Sequence, residues 1–391
     1  KLARQSSCLR YRSTLPRACE AHAQGIVTIC QAVQMRFVSV IVFLAACTLA
    51  LSLRRAESVS GDLTATSRYG HVRGIARAAQ SDGDWTWRHH TIGVPDNGPA
   101  KAAVKGGRLA VVISGLKTRL VLNSTLEQVV LPAVRLGYHV DVYLSLVEAG
   151  DGMAFTSHGV PDPDIAGRPR EDFKLFLEKA IRGVGGHLVH FVHHETQEKV
   201  EPLPKHLTHQ EYMYDYPPGE SAFGLNVLRR WKSSEALLNE TLRQGTDYDF
   251  VLWQREDQHW LKPLWLFNFR NAAESSTTVY AKNCLGWGGI NDKALLLGRE
   301  AAQKLMTAYS SFWTADRRLR SRNAEQYLNS LAQLRGLRIQ KVPFAMLPSS
   351  DATFAPRGDS LPPALCIKSF YSCKSELPQG SPPFCPDDKA K

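Results

Sequence analysis

Glu256 and Asp257 stand side by side, directly after Arg255 and the apolar run Phe250, Val251, Leu252, Trp253. Carboxylates at the C-terminal end of a buried strand occupy the place where an open α/β sheet puts its ligand chemistry. Adjacent acids beside an arginine suit a hard divalent cation that bridges a diphosphate. The expectation is a metal-assisted transfer from a nucleotide-linked donor, with Mn2+ or Mg2+ on Glu256 and Asp257. The plain alternative is a solvated turn at a strand end.

Three other stretches carry side chains able to bind or react. Gly286 to Asp292 reads GWGGIND, a loop whose glycines let backbone approach a ligand and whose Trp287 can lie against a sugar ring. Asp292 is the candidate general base for an acceptor hydroxyl, or else the cap of the next element. Ser114 to Leu120 reads SGLKTRL: backbone amides near Gly115 can receive phosphate and Arg119 can pair with it, a simple strand-to-helix turn being the alternative. His187 to Glu195 holds four histidines and an acid. On a strand, however, His190 and His194 share one face and His187 and His193 the other, so three ligands do not converge on a zinc ion. No G-x-S-x-G elbow occurs, which leaves a serine hydrolase without its nucleophile.

Alternating strands and helices must position these residues. Leu109 to Ile113 is an unbroken apolar run between Gly106-Gly107 and Ser114-Gly115, a buried strand. Asn123 to Arg135 has helical spacing, with Pro132 expected to kink its last turn. His139 to Leu146 is the next strand, completing a unit long enough for a parallel crossover. Helices follow at 171–181, 221–242 and 324–334, with Gly224 and Ser233-Ser234 weakening the second. Strands are expected at 187–192, 249–253, 276–281 and 337–342, and 292–309 reads as strand then helix. This alternation predicts an α/β fold with a mainly parallel, Rossmann-like sheet and flanking helices. From Pro348 the chain is rich in Pro and Ser and reads as a surface wrap.

Composition is that of an ordinary globular protein. The net charge of +11 is concentrated at the head, where residues 1–55 hold eight Lys or Arg and one acid. The body has no basic run interleaved with aromatics, so no nucleic-acid partner is expected. Residues 37–53 form a charge-free apolar stretch, either a signal-anchor or a signal peptide cleaved near Thr48-Leu49-Ala50. Leu44-Ala45-Ala46-Cys47 also matches a lipoprotein box. Met35 lies directly before Arg36 and this stretch, so translation is expected to begin there, with residues 1–34 an untranslated upstream extension. Arg54 and Arg55 favour a cytosolic C-terminal side, whereas sequons at Asn123 and Asn239 favour a lumenal one. Cys284, Cys366, Cys373 and Cys385 can form one or two disulfides, in any of the pairings four cysteines allow.

In order and spacing, these segments resemble GT-A-type glycosyltransferases and their uncharacterised relatives. YDFVLWQRED (Tyr248 to Asp257) resembles the YDYVxxxRxD segment that closes a central strand there. GGINDKALLLGREAAQKLM (Gly288 to Met306) resembles the later NDKFxxGSREAM segment. AVVISGLKTRL from Ala110 and LGYHVDVYLSL from Leu136 resemble the first strand, helix and second strand. The likeness spans about residues 108–345. It implies that Asp257, with Glu256, matches the metal-binding acid and that Asn291 and Asp292 match the later site loop. The chain departs in having adjacent acids rather than Asp-x-Asp, Ala294 in place of Phe and Gly298 in place of Ser.

What the resemblance implies is a Golgi-type, single-pass type II enzyme, or alternatively a secreted one. Its expected plan is an extension at 1–36, an anchor at 37–53, a stem at 54–107, a GT-A-like domain at 108–347 and a Pro-rich tail at 348–391. It would move a sugar from a nucleotide-sugar donor to a hydroxyl on a glycan, protein or lipid. Gly115, Arg119, Arg255, Trp287 and Asn291 would hold the donor, and Asp292 would serve as base. The rival is a non-catalytic carbohydrate-binding or scaffold protein on the same fold.

Overall fold

Arg108–Leu116 forms β1, with Leu109, Val111 and Ile113 in one core and Ala110 and Val112 in another. A strand covered on both faces reads as a continuous apolar run, which is how it shows in the sequence. The computed structural model describes residues 106–148, 160–165, 168–196, 222–269, 271–357 and 361–386. The chain divides into Lys1–Val94 and Pro95–Lys391. The first unit, and with it the expected extension, anchor at 37–53 and most of the stem, lies outside the described residues. Among the described residues no helix is long and apolar enough to cross a membrane.

Helix α1 begins at Leu122–Thr125, passes through a π-helical turn at Leu126–Val130 and ends at Leu131–Arg135. The expected irregularity at Pro132 therefore appears before the proline. Pro132 has no N–H to give the carbonyl of Gln128. That carbonyl accepts instead from the N–H of Leu264 at 2.7 Å. Strand β2 (His139–Val147), helix α2 (Arg170–Gly183), strand β3 (His187–His194) and helix α3 (Ala222–Arg243) follow. Ser234 does not interrupt α3, because its hydroxyl meets that of Ser114 at 2.7 Å and accepts from Trp253 Nε1 at 2.9 Å.

Then come β4 (Phe250–Arg255), β5 (Gln258–Trp260), β6 (Thr278–Lys282) and β7 (Ala294–Gly298). Helices α4 (Arg299–Leu305), α5 (Ala308–Trp313) and α6 (Ala324–Leu334) lead to β8 (Arg338–Val342), β9 (Ser349–Ala355) and β10 (Ala364–Ile367). The main sheet has seven strands in the order β3-β2-β1-β4-β7-β6-β8. All its pairings are parallel except those of β7 with β4 and β6. The fold is thus α/β, with a mainly parallel sheet and helices on both faces. From β1 the chain winds outward through β2 and β3, then returns to the other side at β4. The switch point between β1 and β4 is where such sheets open a crevice at the strand ends.

Beyond residue 347 the chain is not a loose wrap. β9 pairs antiparallel with β5 and β10 in a second, three-stranded sheet. Of the pairings left open by sequence, Cys284–Cys373 and Cys366–Cys385 form. The first spans 89 residues and fastens the C-terminal segment beside the end of β6.

Candidate functional site

The register of β1 against β4 sets Ser114 opposite Arg255, so β4 ends at the switch point while β1 runs two residues further, to Leu116. Gly115 is the penultimate residue of β1, and a Cβ there would meet Oε2 of Glu256 at 1.9 Å. Its lack of a side chain serves the neighbouring carboxylate. The turn after it, Lys117–Arg119, is a short 3-10 segment whose Lys117 turns away to Glu148 at 2.6 Å. Arg119 turns inward: its Nε lies 3.2 Å from Glu256 Oε1, and its Nη2 donates to Asp257 Oδ2.

Asp257 is fully buried. Arg255 donates to it through Nε at 3.0 Å and Nη2 at 2.9 Å, and Lys368, just past β10, through Nζ at 3.0 Å. Burial works to raise its pKa, but Arg119, Arg255 and Lys368 outweigh that and hold it well below the usual carboxylate range. Asp351 of β9 answers a second set of donors, Lys293 Nζ at 2.9 Å and Gln258 Nε2 at 2.5 Å, with Arg255 Nη1 at 3.8 Å. Lys282 donates to the carbonyl of Ser349 at 2.6 Å, and burial pushes its pKa down to about 7.

Asp292 is paired with Arg230 of α3. Burial would raise its pKa, but Arg230, Lys293 and Arg255 bring it down to about 2. A carboxylate paired with an arginine and this acidic is a poor proton acceptor at neutral pH, which is an obstacle to the expected base role of Asp292. Its neighbour Glu325, at the start of α6, shows the opposite: burial and then the charge of Asp292 push its pKa up to about 8. The expected ligand role of Asn291 meets a similar obstacle. It is fully buried, donating to the carbonyl of Cys284 at 2.9 Å and accepting from the N–H of Lys293 at 3.0 Å.

The GWGG loop is held against α6. A Cβ on Gly289 would lie 2.1 Å from the carbonyl oxygen of Glu325. Trp287 adopts φ 36°, in the left-handed region, at a cost of about 1–3 kcal/mol that the surrounding contacts must offset. Its carbonyl accepts from Gln326 Nε2 at 3.2 Å and Asn323 Nδ2 at 3.3 Å. The ring remains 39% exposed and lies against Phe370, which is 68% exposed, with centroids 6.4 Å apart and planes inclined by 25°. Lys293 Nζ sits 5.3 Å from the Trp287 ring centre, within cation–π reach. An aromatic face thus borders the charged cluster.

These contacts decide how well a divalent cation fits. Glu256 and Asp257 are adjacent, as expected, but the oxygens of Asp257 are occupied by two guanidinium groups and an ammonium. Among the described residues no three His, Cys, Asp or Glu side chains are grouped to hold a metal. The histidine-rich β3 follows suit: His193 meets Glu148 at 2.9 Å and His187 stacks on His139. A Mn2+ or Mg2+ ion on Glu256 and Asp257 would have to displace cations that already neutralise them, so this donor set does not fit it. The cations of the cluster are Arg119, Arg230, Arg255, Lys293 and Lys368, with Lys282 about half-protonated at neutral pH. Its acids are Glu256, Asp257, Asp292, Asp351 and Glu325, the last protonated at neutral pH. The balance is positive, and the side chains of Arg119 and Arg255 keep about a fifth of their surface exposed, 20% and 21%.

Sequence reading found Arg119, Arg255, Glu256, Asp257, Trp287, Asn291 and Asp292, and the fold brings all of them to this end of the sheet. It missed Lys293, Asp351, Lys368, Phe370, Arg230 and Glu325. Of the two sequons, Asn239 is exposed on α3 and Asn123 is half-buried in α1.

No protein-family model matches the chain, and no curated protein does. Solved structures similar to it include the glycosyltransferase GlyE of Streptococcus pneumoniae TIGR4. The likeness is 14% identity over 61% of this chain and 46% of that one, with a TM-score of 0.31. The galactosyltransferase LgtC, solved with donor and acceptor sugar analogs, is similar at 12% identity over 57% of this chain and 70% of that one, with a TM-score of 0.28. This chain spans less than half the length of the GlyE structures. Scores this low fix neither fold nor activity.

Proposed function

We propose that the protein is a GT-A-like glycosyltransferase that moves a sugar from a nucleotide-sugar donor to a hydroxyl of a glycan, protein or lipid. The observation that carries this is the buried, net-positive cluster at the switch point, with an exposed aromatic face beside it. An anionic leaving group and a sugar ring are what such a pair of surfaces suits. In the reaction, the bond between the anomeric carbon and the diphosphate oxygen breaks and its electron pair leaves with the diphosphate. The acceptor oxygen bonds to the anomeric carbon, and its proton passes to the released diphosphate or to water. Arg119 and Arg255 stabilise the leaving charge, and Trp287 with Phe370 offers the ring a stacking face. Asp292 fixes Arg230 rather than accepting the proton.

Two disulfides suit an oxidising compartment. They support a placement of the domain in the secretory lumen; a Golgi-type membrane anchor at residues 37–53 is part of the same proposal and rests on the apolar run alone. The test is incubation with a panel of nucleotide sugars, scored by release of nucleoside diphosphate and by label on an added glycan acceptor. Turnover of one donor class is expected. The exposed Trp287–Phe370 pair also suits a non-catalytic carbohydrate-binding protein, and glycan retention with no donor turnover would replace the first reading with that one.

A further inference from the structure

Resting on the transferase proposal, we infer that this site binds the nucleoside diphosphate without a divalent cation, its charge taken up by Arg119 and Arg255. Asp257 then serves as the post that holds both guanidinium groups, and is not a metal ligand. Four observations converge. Oδ2 of Asp257 accepts from Arg255, Lys368 and Arg119 and Oδ1 accepts from Arg255, and the whole carboxylate is buried among these cations. Glu256, the second expected ligand, is turned to Arg119 Nε at 3.2 Å and is packed into the space left by Gly115. The cluster already carries a cationic excess, which attracts a polyanion and repels a dication. Among the described residues Nη1 of Arg119 makes no bond, and its side chain reaches the surface. A guanidinium fixed along one edge and open along the other is shaped for the paired oxygens of a phosphate.

Lys368 is part of the device. It follows β10, two residues after Cys366 of the Cys366–Cys385 bridge and five before Cys373 of the Cys284–Cys373 bridge, and its N–H donates to the carbonyl of Asp351 at 2.9 Å, so the tail's own fastening holds it at Asp257. The cation that completes the site is thus delivered by the chain.

Isothermal titration of the full chain with ADP, CDP, GDP and UDP, in EDTA and again in Mn2+, tests this. One nucleotide is expected to bind in EDTA with a Kd within about threefold of its value in Mn2+, a difference below about 0.7 kcal/mol. Arg119→Gln is expected to weaken that nucleotide at least tenfold and leave the parent nucleoside, without phosphates, unchanged. Arg119→Lys, which keeps the charge on Glu256 and Asp257, guards against loss of the fold and is expected to fall between the two. Binding seen only with Mn2+ overturns metal independence and leaves the transferase reading standing. Binding of no nucleotide in either condition overturns the transferase reading itself.

Discussion

Gly115 and Glu256 share one space at the end of β1: a Cβ on residue 115 would lie 1.9 Å from Glu256 Oε2. Glu256 cannot retreat easily, because it is buried and faces Arg119. Gly115→Ala is therefore expected to cost about 1–3 kcal/mol, the range for overpacking a close-packed interior. It should also weaken nucleotide binding by swinging Arg119. Urea unfolding and titration calorimetry on the same sample check both. Unchanged stability would mean that Glu256 has room the structure does not show.

Asp257→Asn separates a structural post from a metal ligand. The amide keeps the shape but leaves Arg119, Arg255 and Lys368 without their counter-charge. Removing one partner of a buried ion cluster costs about 3–5 kcal/mol. A large loss in denaturant midpoint is expected, with or without added Mn2+. A variant as stable as the parent would contradict the placement of Asp257 among these three cations.

The strands were legible because Leu109 to Ile113 and Phe250 to Trp253 are buried on both faces, and both-face burial writes itself as an apolar run. Arg255 and Asp257 were legible for a related reason, since polarity returns abruptly where such a strand ends. Lys368 and Asp351 were not. They sit in a segment rich in Pro and Ser, and their partners lie 111 and 58 residues away in sequence. No local periodicity reports a contact of that span. The π turn was hidden too, because the acceptor freed by Pro132 is satisfied by Leu264, far along the chain.

Phe370→Ala and Trp287→Ala test the aromatic face. Both rings are substantially exposed, so little stability is expected to be lost. An aromatic contact is worth about 0.5–1.5 kcal/mol beyond its area, so KM for the sugar-bearing substrate should rise several-fold with kcat little changed. Steady-state kinetics with the donor found active decides it, and an unchanged KM removes the pair from the site.

Glu325 gives a signed pH dependence. Its ordinary pKa of 4.5 rises to about 8 in the fold, burial being the main cause. Between these values the unfolded chain has lost the proton that the folded chain keeps, so the contribution of Glu325 to stability falls as pH rises. Glu325→Gln cannot titrate. Relative to that variant, the parent is expected to lose stability steadily from about pH 4.5 to 8, as denaturant titrations at several pH values would show. A constant gap between the two curves would mean that Glu325 is ionised throughout.

Replacing both cysteines of the Cys284–Cys373 bridge by serine opens a loop of 89 residues. By chain entropy alone this costs about 4–5 kcal/mol. Because Lys368 and Phe370 are carried by the same segment, nucleotide affinity is expected to fall together with stability. Retained affinity in the double variant would show that β10 holds Lys368 without the bridge.

Asp257 must wait for Lys368. During synthesis 111 further residues follow before its last cation exists, a delay of roughly 5–20 s at ordinary elongation rates. Over that interval β1 and β4 can pair, while the acids between them face an unfinished end. The nascent chain therefore carries its most charged buried spot open until nearly the whole domain has emerged. Its yield should depend on helpers that shield such intermediates, and on an oxidant present at the moment the C-terminal segment arrives.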